Sequence, residues 1–144
     1  MLGIVLLASC TVSEEIQFND KDIKITLTNL KKQDEYSSSY TIEIKNEGQL
    51  ELKNLYLFLY YPILTNNGSR TNPFKVEAKP DAPSPINLKK GQRATFVIFA
   101  PHKEVFGDSE LLDLENPAIE LKGIVVRGGK ELPFEKSGIS INNM

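Results

Sequence analysis

An apolar/polar alternation with a period of two runs through this chain from residue 22 onward, and it constrains the fold more than any other feature. In DIKITLTNL, Ile23, Ile25 and Leu27 alternate with Lys24, Thr26 and Thr28; in YTIEIK, Tyr40, Ile42 and Ile44 alternate with Thr41, Glu43 and Lys45. Successive side chains of an extended strand point to opposite faces, so these segments predict strands with one apolar face turned to a core. NLYLFLYYP (54–62) and RATFVIFAP (93–101) are apolar on both faces, which predicts strands that are central or covered on the second face. FKVEAK (74–79) and AIELKGIVVRG (118–128) read as further strands, and ELPFEKSGISI as one or two more. The clusters NEG, TNNGSRTNP, KPDAPSP, KKG and RGGK between them favour turns. Only GDSELLDLEN (107–116) could hold a helical turn. At 144 residues the chain suits one domain. The expected fold is all-β, an antiparallel β-sandwich of about seven or eight strands over residues 22–144.

The amino terminus obeys a different logic. LGIVLLAS (2–9) is an uncharged apolar run that stops at Cys10, the single cysteine. As a helix it would rise only ~12 Å against ~30 Å of bilayer hydrocarbon, too little to span. It does suit the apolar part of a secretory signal, which needs ~7–15 residues. Leu7-Ala8-Ser9-Cys10 resembles the lipobox of bacterial lipoproteins at all four positions. The resemblance implies a signal peptide over 1–9, cleavage before Cys10 and lipidation of its thiol. A tether over 10–21 would follow, placing the protein at the cell membrane, lipid-anchored on the extracytoplasmic side. Two or more acyl chains, at ~0.8 kcal/mol per buried CH₂, anchor stably where one is marginal. Signal sequences carry Lys or Arg ahead of the apolar run, whereas the first basic residue here is Lys21; a start upstream of Met1 would supply one. The alternative is a first strand over 3–8, with Cys10 a buried free thiol.

The middle of the chain resembles immunoglobulin-like modules of bacterial surface proteins, the cell-adhesion-related and FxLYD types. Asn46-Glu47-Gly48 stands where a strand ends in Asn-x-Gly, Asn54-Leu55 where the next begins, and Leu88-Lys89-Lys90-Gly91 at a later turn. The FxLYD name motif would fall on Leu57-Phe58-Leu59-Tyr60-Tyr61, which lacks its first Phe and final Asp. The resemblance covers about residues 40–101 and implies a non-catalytic binding or spacing module.

Composition narrows the chemistry. A net charge of -2 gives no electrostatic footprint for nucleic acid. His102 is the only histidine and sits between Pro101 and Lys103 in an expected loop, without a Gly-x-Ser-x-Gly elbow to support a triad. A lipidated Cys10 leaves no thiol nucleophile. The expectation is therefore no enzyme and no resident cofactor. Asp108, Glu110, Asp113 and Glu115, followed by Asn116, gather oxygen ligands that could hold Ca²⁺. Their spacing is not that of an EF-hand, and Leu111, Leu112 and Leu114 interrupt it. The plainer expectation has the leucines pin a solvated connection to the core.

In 54–62, Leu55, Leu57, Leu59 and Tyr61 share one face, leaving Tyr56, Phe58 and Tyr60 on the other. Such a row can stack on sugar rings or dock an extended peptide, unless a loop such as 79–85 or the amino-terminal segment covers it. The leading expectation is a lipid-anchored, non-catalytic binding or structural module of the cell envelope with a protein or polysaccharide partner. The alternative is an enzyme or accessory acting on envelope polysaccharide or peptide through Tyr56, Phe58 and Tyr60.

Overall fold

A computed structural model describes residues 16–34, 37–101 and 111–144. Among them are ten strands: β1 (Ile23–Asp34), β2 (Ser37–Asn46), β3 (Leu52–Tyr60), β4 (Ile63–Thr65), β5 (Gly68–Arg70), β6 (Val76–Glu77), β7 (Lys79–Pro80), β8 (Arg93–Pro101), β9 (Ala118–Arg127) and β10 (Lys130–Ser140). One four-stranded sheet has the order β1-β2-β8-β7 and the other β10-β9-β3-β6, while β4 and β5 form a separate hairpin. Lettered in chain order, these sheets are A-B-E-D and G-F-C-C′, with every pairing antiparallel. That order is the immunoglobulin-like sandwich. The expected seven or eight strands are the eight of the two sheets, and the β4–β5 hairpin is an arm inserted after β3.

The period of two is realised as read. Tyr40, Ile42 and Ile44 of β2 and Phe96, Ile98 and Ala100 of β8 are buried against Leu55, Leu57 and Leu59 of β3 and Ile119, Leu121 and Val125 of β9. β3 and β8 are both central in their sheets, as their two-sided apolar character predicts. The second face of β8 is nonetheless open: Val97 and Phe99 are 40% and 51% exposed. Segment 74–80 is not one strand. β6 pairs with β3 and β7 with β8, so the chain changes sheets at the buried Ala78, whose N–H donates to the Leu57 carbonyl at 2.8 Å. The loop over 79–85 thus begins on the sheet opposite the aromatic row.

The residues that carry the family resemblance have structural duties. Asn46, almost fully buried, donates through Nδ2 to the carbonyls of Leu50 (2.8 Å) and Leu88 (2.9 Å) and accepts from the Gly48 N–H (3.0 Å). Asn54 takes a positive φ of 51°, and its N–H donates to Asn87 Oδ1 at 3.0 Å. Gly91, at φ 81°, closes the turn ahead of β8 and donates to the Asn46 carbonyl. The motif is a knot tying two loops at one end of the sandwich.

The amino-terminal segment joins that same end. Phe18 packs on Phe134 with ring centroids 5.1 Å apart, and Asn19 caps the short 3-10 turn Asp20–Asp22 through the Lys21 N–H. Residues 16–21 of the expected tether are described, and the chain lies against the sandwich from Phe18 onward. Cys10, the expected signal peptide, His102, Asp108 and Glu110 lie outside the described residues.

Candidate functional site

The outer face of the β10-β9-β3-β6 sheet holds the aromatic row, and cross-strand register decides what covers it. Tyr56 stands opposite Lys122, Phe58 between Glu120 and Glu77, and Tyr60 opposite Ala118. The row is graded: Tyr56 is 47% exposed, Phe58 half-buried and Tyr60 only 3% exposed. The 79–85 loop, which starts on β8 of the other sheet, does not make the cover. Lys122 Nζ lies 5.9 Å from the Phe58 ring centroid, and Lys75 Nζ 5.7 Å from that of Tyr60. Both distances suit cation–π contact. A three-ring stacking platform is therefore not presented; Tyr56 is its accessible member.

Lys75 is held in place from both ends. Asn72, buried, donates from Nδ2 to the Tyr61 carbonyl at 3.0 Å and accepts from the Phe74 N–H at 2.9 Å, fixing the return from the arm into β6. From there Lys75 Nζ crosses β3 and donates to Glu120 Oε2. Lys122 Nζ lies 3.9 Å from Glu120 Oε1. Glu120 is 1% exposed, although it sits on an outward face, because these lysines roof it. Burial disfavours its charge. Hydrogen bonds from Glu135 and Lys75, with the charges of Lys75 and Lys122, outweigh that and hold its carboxyl below the usual value. Glu135, exposed on β10, is pushed above its usual value by its hydrogen bond to Glu120 and the repulsion of that charge.

This carboxyl pair is invisible in the sequence, since its members lie on different strands and Lys75, which reaches over it, comes from the segment just ahead of β6. The pair's arrangement secures Lys75 over Tyr60 and is a fixture of the face.

The other sequence-derived candidates fare separately. Asp113 and Glu115 are described. Asp113 accepts from Asn116 Nδ2 at 3.0 and 3.1 Å, and the Glu115 carbonyl accepts from Asn142 Nδ2 at 2.8 Å. The described residues form no cluster of three or more acidic, His or Cys groups placed to hold a metal ion. Of the three leucines expected to pin this connection, only Leu112 packs on the core, by a bridge to Ile63; Leu111 and Leu114 are exposed. Residues 111–113 instead run beside β4, through Leu64 N–H to the Leu111 carbonyl and Asp113 N–H to the Pro62 carbonyl. The arm turns at Asn66 and Asn67, with Gly68 opening β5 rather than sitting in the turn.

Comparison with protein-family models gives no match, and comparison with curated proteins gives none. Among solved structures, the GAE domain of GGA2p from Saccharomyces cerevisiae aligns at TM-score 0.49 with 8% identity, covering 90% of this chain and 97% of that one. The yeast GGA1 GAE domain aligns at 0.48 with 12% identity, covering 88% and 95%. The archaellum periplasmic stator protein FlaG from Sulfolobus acidocaldarius aligns at 0.32 with 8% identity, covering 81% and 99%. These likenesses are too distant to bear on what this chain does.

Proposed function

We propose that this chain is a non-catalytic binding module of the cell envelope, lipid-anchored through Cys10 on the extracytoplasmic side of the cell membrane. Its anchor rests on the Leu7-Ala8-Ser9-Cys10 resemblance. One structural observation favours the module: the two ends of the sandwich are built differently. The chain enters beside Phe18 and the Asn46 knot, while the arm and segment 111–116 stand at the opposite ends of the same strands. Nine-residue β3 alone separates the ends by ~30 Å. A lipid on residue 10 would thus turn the elaborated end away from the bilayer. A second reading, an accessory or enzyme acting on envelope polysaccharide or peptide, is favoured by the accessible Tyr56 ring beside Lys122.

The test is the intact mass and amino-terminal peptide of the protein taken from its own membranes. A chain beginning at Cys10 with added acyl mass is expected. An unmodified chain that retains Met1 overturns the anchor, and with it the envelope location.

A further inference from the structure

At the end of the sandwich remote from Phe18 lies a cleft of about 360 Å³, within the ~300–1,000 Å³ range of small-molecule sites. Its floor comes from three neighbouring strands in register: Tyr60, Ala118 and Ser140. The small side chains beside Tyr60 are what leave the space. One wall is the arm, through Ser69, Arg70 and Thr71, and the other is Asp113 with Asn116.

We infer that this cleft binds a neutral saccharide unit. The inference rests on the reading of the domain as a binding module and is independent of the anchor. Three observations carry it. The first is the unused hydrogen-bonding capacity. The Arg70 guanidinium and the hydroxyls of Ser69, Thr71 and Ser140 have no protein partner among the described residues. Asp113 has acceptor capacity beyond the single Asn116 amide that bonds it. Donors and acceptors thus face one space, and a sugar hydroxyl is both at once. The cation of Arg70 and the anion of Asp113 offset each other, so the site selects neither charge.

The second observation is preorganisation. Asn142 donates to Asn116 Oδ1 at 2.9 Å, and Asn116 donates to both Asp113 oxygens. The acceptor wall is fixed before any ligand arrives, which lowers the ordering cost of binding. The third concerns the rival occupant. A peptide added as a strand needs a continuous edge, yet the β10 edge breaks here. Its register shifts between Lys136 and Ile139, and Gly138, which lines the cleft, sits at φ 72°.

The test is an NMR titration of the isotope-labelled full-length protein in detergent micelles, using N,N′-diacetylchitobiose and maltose, with a neutral tripeptide as comparison. Either disaccharide at ~10 mM should shift the amides of Ser69, Thr71, Asn116 and Ala118. Arg70→Ala and Asp113→Ala should each weaken that binding about fivefold, the loss of one hydrogen bond's worth of affinity. Arg70 is exposed, so the thermal midpoint of Arg70→Ala should hold. No shift at the cleft with either sugar, a cleft response to the tripeptide alone, or full affinity in Arg70→Ala each overturns the inference. Sugar-induced shifts confined to Tyr56 and its neighbours overturn the cleft while leaving the binding-module reading intact.

Discussion

Each end of the sandwich ties a loop through a buried asparagine, Asn46 at one and Asn72 at the other, but the remaining polar side chains are used differently. At the end where the chain enters, the side chains of Asn46, Asn87 and Asn19 all bond to backbone, and the loops that Asn46 joins cannot move without breaking buried hydrogen bonds. At the other end, Asn142 and Asn116 brace Asp113, while Arg70 and three hydroxyls beside it bond to no described group. One end is closed on itself and the other is left open, though both come from the same strands. A similar density of polar residues can therefore mean stability or recognition, and only the partners distinguish them.

Substitutions can break that contrast. The largest effect is expected at the closed end. Asn46→Ala strands the Leu50 carbonyl and the Gly48 N–H and leaves the Leu88 carbonyl with the Leu52 N–H alone, and should cost ~2–4 kcal/mol of unfolding free energy in a urea titration. A loss below ~1 kcal/mol would mean that water replaces the side chain and that the knot is no knot. Next comes Gly123→Ala on β9. A Cβ there would stand 2.7 Å from Leu55 Cδ2 and 2.9 Å from Phe134 Cε1, so crowding should cost ~1–3 kcal/mol. If calorimetry shows an unchanged midpoint, the packing between β3, β9 and β10 has slack that this geometry denies.

Glu120→Gln should cost ~1 kcal/mol by weakening the bond from Lys75 while keeping its shape. The pH dependence has two signs. The lowered Glu120 contributes stability above the ordinary carboxylate range, and that is lost as pH falls through its folded value. The raised Glu135 contributes below that range and is lost as pH rises through its own. Glu135→Gln keeps a donor against Glu120 at every pH. Melting curves of this variant should stay level where the parent declines on the higher-pH side; parallel curves would show that the two carboxyls do not share a proton.

The smallest effects belong to the open regions. Arg70→Ala and Tyr56→Ala should each leave stability within ~0.5 kcal/mol, as exposed substitutions do. A multi-kcal/mol loss in Arg70→Ala would erase the difference between the ends.

The sandwich was legible because alternation is local: Tyr40, Ile42 and Ile44 declare their face without reference to any other segment. The two-residue strands β6 and β7 were not, since a chain crossing between sheets alternates like one that stays in its sheet. The aromatic row has the parity its spacing predicts, but its cover depends on Lys75 reaching across β3 to a glutamate 45 positions later. Glu120 itself looks like a solvent-facing residue of an ordinary strand. The cleft is the least legible part. Its walls come from the arm, from segment 111–116 and from the end of β10, and each of those stretches alone reads as a turn or a strand end.

The pairing of β1 bears on how the domain would carry a load. β1 is an edge strand bonded to β2 from Ile23↔Asn46 to Asp34↔Ser37, and the chain enters it at the end remote from the cleft. A pull on the amino terminus against something gripped at the far end runs along β1. Its ladder bonds are then loaded together in shear rather than peeled one at a time. Resistance to such a pull is set by the unfolding rate and not by equilibrium stability. Shortening the β1–β2 ladder should therefore weaken the domain under tension out of proportion to its effect on the melting temperature.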